Sequence, residues 1–439
     1  MTPRAKPKLF RDPVHDTIAL PQDSDADRLL IQLLDTPEVQ RLRRIRQLGL
    51  TSMVYPGAEH SRFQHSLGVL WTAHEMLARL QHATPISPEA RTLTLVGALL
   101  HDVGHGPMSH ALETVTGIHH EHWTQAIIAD PSSGVGKLLA AFDPALPERI
   151  LGLYDDRPLP AEVPLFVREI VSSQLDADRL DYILRDGRAT GVRIGSYDLA
   201  RILALLELAE GHLAIHVGAQ EAVEGYLLAR FHMYKQVYLH KTSRAAERML
   251  EAALRRAGEL RREGRGPDRW IDDGFGRLVT GEKLSVDSYA TLDDTDVWAA
   301  LKLWARDSDP ALAHLARGLV DRNLWKPLPC RTTRRAPTSL VHAARAVARV
   351  KGFDPTTAVL VDQARDSLYR PFLGASDEAH DDSIRLIEPS GRIAYIEDRS
   401  EVVKMLSHLQ VRQRLLCVHP DLRDAVARAV LPRAERSAS

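Results

Sequence analysis

Apolar residues recur at helical spacing over most of the first 330 residues. Between residues 26 and 47, Leu30, Leu33 and Leu34 lie three or four positions apart, and the pattern is interrupted at Pro37. A largely buried helix is predicted to start at Pro88 and to carry His101 in its last turn. The same spacing predicts further helices over 62–82, 88–102, 108–117, 119–130, 163–186, 197–209 and 220–262.

The pattern changes towards the C-terminus, where shorter apolar runs predict strands. Residues 8–20 form a first candidate strand or hairpin near the N-terminus. The C-terminal candidates are 356–364, 382–389 and 391–398, the last two joined as a hairpin near Ser390 and Gly391. We therefore expect a mainly α fold, with a helical core and its extension over 1–330 and a smaller C-terminal α/β lobe over 331–439.

Composition excludes several classes of protein. The 439 residues are 44% hydrophobic, and 57 basic against 58 acidic side chains give a net charge of −1, so no global field indicates nucleic acid or a membrane. Cys330 and Cys417 form neither a disulfide framework nor a metal-like pair. The N-terminus lacks the apolar run of a signal peptide, and no stretch approaches the length of a membrane span. We expect a soluble cytoplasmic protein.

The segment ALLHDVGHGPMSHALE, residues 98–113, carries the strongest chemical signal. His101 and Asp102 are adjacent near a helix end, between apolar residues such as Leu100 and Val103. Burying a carboxylate beside an imidazole without a partner costs several kcal/mol. A bound divalent cation removes that cost, although a His-Asp pair on its own is more often a solvated or capping pair.

Other segments strengthen the metal hypothesis. His105 lies four residues after His101, and Gly104 and Gly106 would let the backbone approach a ligand closely. Upstream, Arg62 and His65 are three apart and share a helix face. Downstream, the segment DADRLDYILRD at 176–186 places further polar residues on a helix. Together these segments supply two histidines and two carboxylates from three separated helices, which is a sufficient ligand set for one octahedral metal ion.

The ordered motifs RFQH, HDVGHGPMSH and DADRLDY resemble the HD-domain superfamily. More narrowly, the chain is similar to the deoxynucleoside triphosphate (dNTP) triphosphohydrolases over roughly residues 8–250. That match includes blocks without catalytic residues at 33–49, 55–69 and 230–241. The resemblance implies a helical HD core and the conversion of a dNTP and water to a deoxynucleoside and triphosphate. We expect this HD core without the sterile alpha motif domain that precedes it in the vertebrate members.

The resemblance also implies roles for individual residues. His65, His101, Asp102 and Asp178 would hold one divalent ion, with Mn, Mg, Fe, Co, Ni and Zn not distinguished, and a second Mg²⁺ could arrive with the substrate. Catalytic roles fall on His105, His110, Glu113 and His120. Phosphate-binding roles, shared with His105, fall on Arg62, Arg179, Arg230 and Lys241. The sugar and base would contact Gln47, Leu48, Tyr182, Asp186 and Tyr238. A regulatory nucleotide site would use Asp35, Gln40 and Arg43.

Several alternatives stay open from the sequence. Either His105 or His110 could protonate the leaving 5′-oxygen, and Tyr238 could be an ordinary core residue. Asp35 directly precedes Thr36 and Pro37, a normal helix start, so the regulatory residues have a purely structural interpretation as well. His60, His74 and His82 fit no motif and are expected to be ordinary surface or core histidines.

The sequence also leaves two alternative functions open. One is another HD-domain nucleotide phosphohydrolase, such as a 5′-nucleotidase or a phosphodiesterase. Another is a nucleotide-sensing regulator that binds without hydrolysis. The resemblance further implies a homo-oligomer, either a dimer or a tetramer, and a nucleotide activator.

Overall fold

A computed structural model describes residues 6–155, 163–265, 270, 272–330, 337–367 and 383–431. The chain is mainly helical with small sheets, as predicted. The helices are α1 (Asp25–Leu34), α2 (Pro37–Arg41), α3 (Arg62–Leu80), α4 (Pro88–Leu100), α5 (His110–Thr116), α6 (His120–Ala129), α7 (Gly134–Phe142), α8 (Leu146–Tyr154), α9 (Leu165–Val171), α10 (Ala177–Thr190), α11 (Leu199–Ala204), α12 (Gln220–Met233), α13 (Lys241–Arg262), α14 (Asp273–Thr280), α15 (Val286–Ala290), α16 (Asp294–Trp304), α17 (Pro310–Val320), α18 (Pro337–Val350), α19 (Ile396–Arg399), α20 (Glu401–Ser407) and α21 (Arg423–Val430).

Three small sheets accompany these helices. The strands are β1 (Lys8–Asp12), β2 (Asp16–Leu20), β3 (Leu206–Ala209), β4 (His212–His216), β5 (Lys326–Pro329), β6 (Val359–Ser367), β7 (Arg385–Ile387), β8 (Ile393–Tyr395) and β9 (Gln410–Val418). β1 and β2 form an antiparallel hairpin, and β5, β9 and β6 form an antiparallel sheet in that order. The third sheet has the order β3-β4-β7-β8, in which β4 and β7 are parallel.

The two predicted hairpins are both present. The first joins β1 and β2 across residues 12–16, and Asp16 at its turn has a φ of 58°. The second joins β7 and β8, with Gly391 at a φ of 82° where a residue without Cβ is favoured. The part of 356–364 that forms a strand, β6, pairs with β9 and not with this hairpin. The predicted C-terminal strands therefore belong to two different sheets.

Two predicted long helices are interrupted. The stretch 163–186 splits into α9 and α10 because Asp176 accepts the N–H of Arg179 and begins a new helix. The stretch 220–262 splits at His240, after a π-helical turn at Tyr234–Tyr238. The second half of 197–209 is strand β3 and not helix. The first two breaks place polar side chains near helix ends that line one cavity.

The main hydrophobic core lies among α1, α3, α4, α9, α10 and α12, and it includes apolar residues of β7, α19 and α20. A second core surrounds α13, α16 and α17, and a third lies between α18, α21 and the β5-β9-β6 sheet. Within the described ranges, the helices are all too short or too polar to cross a bilayer. The cavity described next lies where α3, α10, α12 and α13 approach one another.

Candidate functional site

Two histidines, the buried His65 and the partly buried His101, are held so that one ring nitrogen of each faces a common point. His65 lies in the first turn of α3, whose start is fixed by Gln64 accepting the N–H of Ser61 at 3.0 Å. His101 directly follows α4, and its Nδ1 donates to the carbonyl oxygen of Ala98 at 2.9 Å. The Nδ1 of His65 donates to Asp181 Oδ2 at 2.8 Å. Because both Nδ1 atoms are bound to fixed acceptors, Nε2 is the nitrogen of each ring that would bind a metal ion.

The structure brings the four predicted metal ligands together, and we call them the ligand cluster. Nε2 of His65 lies 2.9 Å from Asp178 Oδ1 and 4.0 Å from Asp102 Oδ2. Nε2 of His101 lies 3.5 Å from Asp102 Oδ1 and 3.7 Å from Asp178 Oδ1. One atom each of His65, His101 and Asp102 falls within 4.8 Å of the others, as a metal site requires.

The electrostatics of the ligand cluster favour a cation. Burial lowers the pKa of His65, but Asp178 and Asp181 outweigh burial and raise that pKa to about 10. Burial raises the pKa of Asp102, but His101, His105 and Arg62 hold it well below its usual value. Among the described residues, Nε2 of both ligand histidines finds no hydrogen-bond partner of acceptable geometry. Orphaned imidazole nitrogens beside ionised carboxylates are a donor set that fits a divalent metal ion.

A buried network that the sequence interpretation missed lies behind His65, and we call it the aspartate network (Asp12, His15, Asp181 and Arg185). Asp181 is fully buried and accepts hydrogen bonds from His15 Nε2 at 2.7 Å and from Arg185 Nε at 2.7 Å. Arg185 also donates to Asp12 at 2.8 Å. Asp181 was recognisable in principle, because it lies three residues after Asp178 in α10 and therefore on an adjoining face.

The predicted catalytic residues form a second group around one carboxylate, Glu113. Its Oε1 lies 2.9 Å from His120 Nδ1 and its Oε2 lies 3.4 Å from His110 Nδ1. His105 stacks on His120 with ring centroids 3.7 Å apart, and its Nε2 lies 3.2 Å from Asp102 Oδ1. Burial and Arg62 lower the pKa of His105 well below its usual value. Burial raises the pKa of Glu113, but His110 and His120 reverse the shift and lower it. This group is contiguous with the ligand cluster.

A cavity of about 530 Å³ opens in front of both groups. This volume suits a small-molecule site. The predicted site residues that line it are Gln47, Leu48, Arg62, Asp102, His105, His110, His120, Asp178, Arg179, Tyr182, Asp186, Arg230 and Tyr238. His65 and His101 are not part of this lining; His65 is fully buried and His101 is partly buried.

The cations that line the cavity are all engaged with protein partners. Arg62 pairs with Asp102 and donates from Nε to Ser109 Oγ at 3.1 Å. Arg179 contacts Asp176 and the carbonyl of Ser173, and Arg230 Nη1 donates to Gln174 Oε1 at 3.0 Å. We call the guanidinium groups of Arg62, Arg179, Arg230 and Arg244 the cation side of the cavity.

Lys241 is placed differently from the other predicted phosphate-binding residues. It is exposed at the start of α13, outside the set of residues that line the cavity. Arg244, one helical turn later, lines the cavity instead and is tied to Asp362 by an Nη2–Oδ1 distance of 2.6 Å. Arg244 can be seen in the sequence as a basic residue, but the direction of its side chain depends on where α13 begins, after its N-cap His240.

One end of the cavity carries a hydrogen-bonded trio. The hydroxyl of Tyr238 donates to Asp186 Oδ2 at 2.7 Å, and His60 Nε2 lies 2.7 Å from Asp186 Oδ1. Tyr182 meets Tyr238 edge to face at 6.2 Å. Burial raises the pKa of Tyr238 well above its usual value, so its hydroxyl stays protonated. His60, expected to be an ordinary histidine, is a partner of a cavity residue.

The loop before α5 has a strained backbone beside the ligand cluster. Met108 and Ser109 have φ angles of 51° and 45°, which side chains other than glycine rarely adopt. Asp294 holds this loop, because its Oδ1 accepts the N–H of Met108 at 2.7 Å and its Oδ2 accepts that of Arg46 at 2.9 Å. Burial raises the pKa of Asp294 to about 6. Asp294 therefore fixes the backbone of the loop that leads into His110, the first residue of α5.

The two glycines of HDVGHG serve packing and not an approach to a ligand. A Cβ on Gly104 would stand 2.1 Å from the backbone nitrogen of Thr124, and one on Gly106 would stand 2.6 Å from the hydroxyl of Tyr289. That hydroxyl donates to the carbonyl of Gly104 at 2.7 Å. The sequence expectation that both would face a ligand is corrected, because α6 and α15 occupy that space.

The predicted regulatory residues lie on the surface, away from the cavity. Asp35 receives two hydrogen bonds from Lys8 Nζ, each at 3.1 Å, and Gln40 Oε1 accepts from Arg43 Nε at 2.8 Å. The guanidinium carbon of Arg43 lies 3.6 Å from the ring centre of Phe63. The three residues share one surface region around α2, and their role stays a prediction.

Family models match most of the chain. The model described as the HD domain matches residues 62–183, and the one described as the HD associated region matches residues 197–433. A phosphohydrolase from Bacteroides thetaiotaomicron, solved as a crystal structure, superposes with a TM-score of 0.80 at 31% identity, covering 94% of this chain and 100% of that one.

Two relatives indicate how far the similarity extends. The uncharacterized protein YwfO of Bacillus subtilis (strain 168) is 34% identical over 409 residues, 91% of this chain and 89% of that protein. The deoxynucleoside triphosphate triphosphohydrolase SAMHD1 of Gallus gallus is 29% identical over 285 residues, 57% of this chain and 45% of that protein. The chain thus spans less than half the length of this second relative.

Proposed function

Because this chain belongs to the HD-domain family of phosphohydrolases, we propose that it is a metal-dependent dNTP triphosphohydrolase. The proposed reaction converts a dNTP and water to a deoxynucleoside and triphosphate. The observation that carries this proposal is the meeting of the ligand cluster, the Glu113 group and the cation side in one cavity of about 530 Å³.

We assign the metal to His65, His101, Asp102 and Asp178. A divalent cation there would supply Lewis acidity towards phosphate oxygens and would acidify a water molecule. The guanidinium groups of Arg62, Arg179 and Arg230 would neutralise the remaining phosphate charge. Since each guanidinium already has a protein partner, phosphate oxygens would share or replace those partners on binding.

We assign the proton donor to His110 and its orientation to Glu113. The side chain of His110 is 72% exposed and lines the cavity, so it can reach a substrate, whereas His105 is stacked beneath His120. A lowered pKa keeps Glu113 ionised, so its carboxylate can accept a hydrogen bond from Nδ1 of His110 and orient the ring. His120, at 2.9 Å from the same carboxylate, would hold Glu113 in place.

We assign selection of the deoxyribose to Leu48 and Tyr238, whose packing would leave no room for a 2′-hydroxyl. Gln47, Tyr182 and Asp186 also line this cavity. The bond from Tyr238 to Asp186 would hold the aromatic ring in position.

Regulation and assembly are further parts of the proposal. Asp35, Gln40 and Arg43 would bind an activating nucleotide, and the chain would work as a homo-oligomer in the cytoplasm. We also propose the division into a core over 1–330 and a lobe over 331–439. A second Mg²⁺ would accompany the substrate phosphates.

A second candidate function is a 5′-nucleotidase of the same family, which acts on a monophosphate. One observation favours it: Lys241 lies off the cavity and Arg179 is engaged with Asp176, so fewer unpaired cations face the substrate than the sequence predicts. A monophosphate carries less charge and needs fewer of them.

The deciding experiment incubates the purified chain and Mn²⁺ with each of the four dNTPs, with and without a second nucleotide, and with each dNMP. Ion-exchange chromatography then separates triphosphate from orthophosphate. Equal yields of deoxynucleoside and triphosphate support the proposal. Turnover of dNMPs to orthophosphate alone supports the second candidate, and dNTP binding without any product indicates a regulator. A chelator-treated sample is the control for metal dependence.

A further inference from the structure

The N-terminal hairpin contacts the ligand cluster from behind through a single buried carboxylate. His15, between β1 and β2, places its Nε2 2.7 Å from Asp181 Oδ1. The other oxygen, Oδ2, accepts the Nδ1 proton of His65 at 2.8 Å. The side chain of His15 is 7% exposed and that of Asp181 is fully buried, so water does not compete for these bonds.

The hairpin turn is itself fixed to the same network. Asp12 Oδ1 accepts the backbone N–H groups of Val14 at 2.8 Å and of His15 at 3.0 Å. The two oxygens of Asp12 also accept from Arg185 at 2.8 and 3.2 Å, and Arg185 donates to both oxygens of Asp181. His15 and Asp181 thus belong to one closed ring of bonds between residues 166 positions apart.

Close packing leaves Asp181 little freedom to move. Gly68, one helical turn after His65 in α3, is so close that an added Cβ would lie 2.0 Å from Asp181 Oδ1 and 2.3 Å from Arg185 Nη2. The carboxylate is therefore held between α3 on one side and the hairpin on the other. Its orientation sets the orientation of the His65 ring.

We propose that His15 is a positioning residue that fixes Asp181, and through it the Nε2 lone pair of His65, for metal binding. This inference rests on the metal site of the proposed function, but not on its substrate. A hydrogen bond to the distal nitrogen of a ligand histidine fixes its tautomer and ring angle, and loss of such support typically lowers metal affinity about 10- to 100-fold. The hairpin thereby becomes part of the metal centre although it contributes no ligand.

The test measures Mn²⁺ affinity of the full chain by calorimetry in the absence of nucleotide. His15→Ala is expected to weaken Mn²⁺ binding about 10-fold, since Asp181 then loses one of its three partner groups. His15→Gln keeps an N–H donor and is expected to restore most of the affinity. If His15→Ala does not fold, His15→Leu replaces it, because leucine fills volume without donating.

The matched control is His212→Ala. His212 is another partly buried histidine paired with a carboxylate, Glu169 at 2.6 Å, in a part of the fold remote from the ligand cluster. Urea unfolding of each metal-free variant reports stability separately from metal affinity. Unchanged Mn²⁺ affinity in His15→Ala, with a stability loss like that of His212→Ala, would overturn the proposal.

The outcomes also separate this inference from the proposed reaction. A chain that binds Mn²⁺, shows the His15 effect and hydrolyses no dNTP supports the inference and refutes the reaction. A wild-type chain that binds no Mn²⁺, Mg²⁺ or Fe²⁺ refutes the inference, whatever its activity.

Discussion

The ligand cluster and the cation side of the cavity differ in how far they are organised before a ligand binds. In the ligand cluster, the nitrogens of His65 and His101 that do not face the centre are bound to fixed acceptors, Asp181 and the Ala98 carbonyl. On the cation side, the guanidinium groups face the cavity but are occupied by protein carboxylates, an amide or backbone carbonyls. The ligand cluster is therefore organised before a ligand binds. The guanidinium groups of the cation side, in contrast, would have to exchange their protein partners for those of the ligand.

The largest effect is expected from removing one residue of the ligand cluster. Asp178→Ala removes a carboxylate that lies 2.9 Å from His65 Nε2 and 3.7 Å from His101 Nε2. We expect a loss of bound metal and a fall in kcat of roughly 1000-fold or more. Elemental analysis and steady-state kinetics measure both quantities. Asp198→Ala, at the exposed start of α11, is the control, and equal metal content in the two variants would contradict the prediction.

Gly68→Ala tests whether metal binding by the ligand cluster depends on the close packing behind it. The new Cβ would collide with Asp181 and Arg185, so we expect unfolding free energy to fall by roughly 1–3 kcal/mol and metal affinity to fall with it. Gly225→Ala is the matched control in α12, because its Cβ would meet nothing within 4 Å and alanine favours the helix by about 0.5–1 kcal/mol. Urea unfolding of the two variants should give changes of opposite sign.

Asp294→Asn tests whether Asp294 supports the strained loop, through the pH dependence of the unfolding free energy. Burial raises the pKa of Asp294 from 3.8 to about 6, so the folded state binds the proton more tightly than the unfolded state. The unfolding free energy should therefore fall as pH rises from about 4 to 6, by roughly 1–3 kcal/mol from this group. The asparagine variant lacks that slope. Urea unfolding at pH 4.5 and pH 7 measures it, and identical slopes in both proteins would refute the assignment.

The smallest effect is expected from Lys241→Ala. Because Lys241 is exposed and off the cavity, we expect KM for a dNTP to change less than about 2-fold. Arg230→Ala is the comparison on the cation side, where loss of a buried charged donor should raise KM by roughly 10-fold or more. An equal rise for both variants would mean that the lysine moves into the cavity with substrate.

The proximity of the four residues of the ligand cluster could be predicted from the sequence more readily than the contacts around them, for a physical reason. His65, His101, Asp102 and Asp178 belong to short motifs on helices, and helical spacing indicates which side chains share a face. The aspartate network joins residues 166 positions apart through the hairpin, and nothing in local spacing connects His15 to Asp181.

The same reasoning explains the errors in the fold. Strands β3 and β4 were missed because LELA and HLAIH are short and lie between strong helical patterns. The direction of the Lys241 side chain could not be predicted from the sequence, because it depends on a helix break at His240 that follows a π-helical turn. Gly104 and Gly106 were recognised as close-approach positions, but only tertiary contacts identify Thr124 and Tyr289 as the neighbours.

The parallel pairing of β4 with β7 makes the helical core depend on a segment 171 residues further along the chain. A chain ending before β7 would leave the backbone of β4 without its neighbour on that side. It would also remove Leu386, Ile396 and Val403 from the main hydrophobic core, where each is buried. Shortened versions that keep every predicted site residue should for this reason aggregate or unfold, and the C-terminal segment has to be synthesised before the metal-binding half is complete.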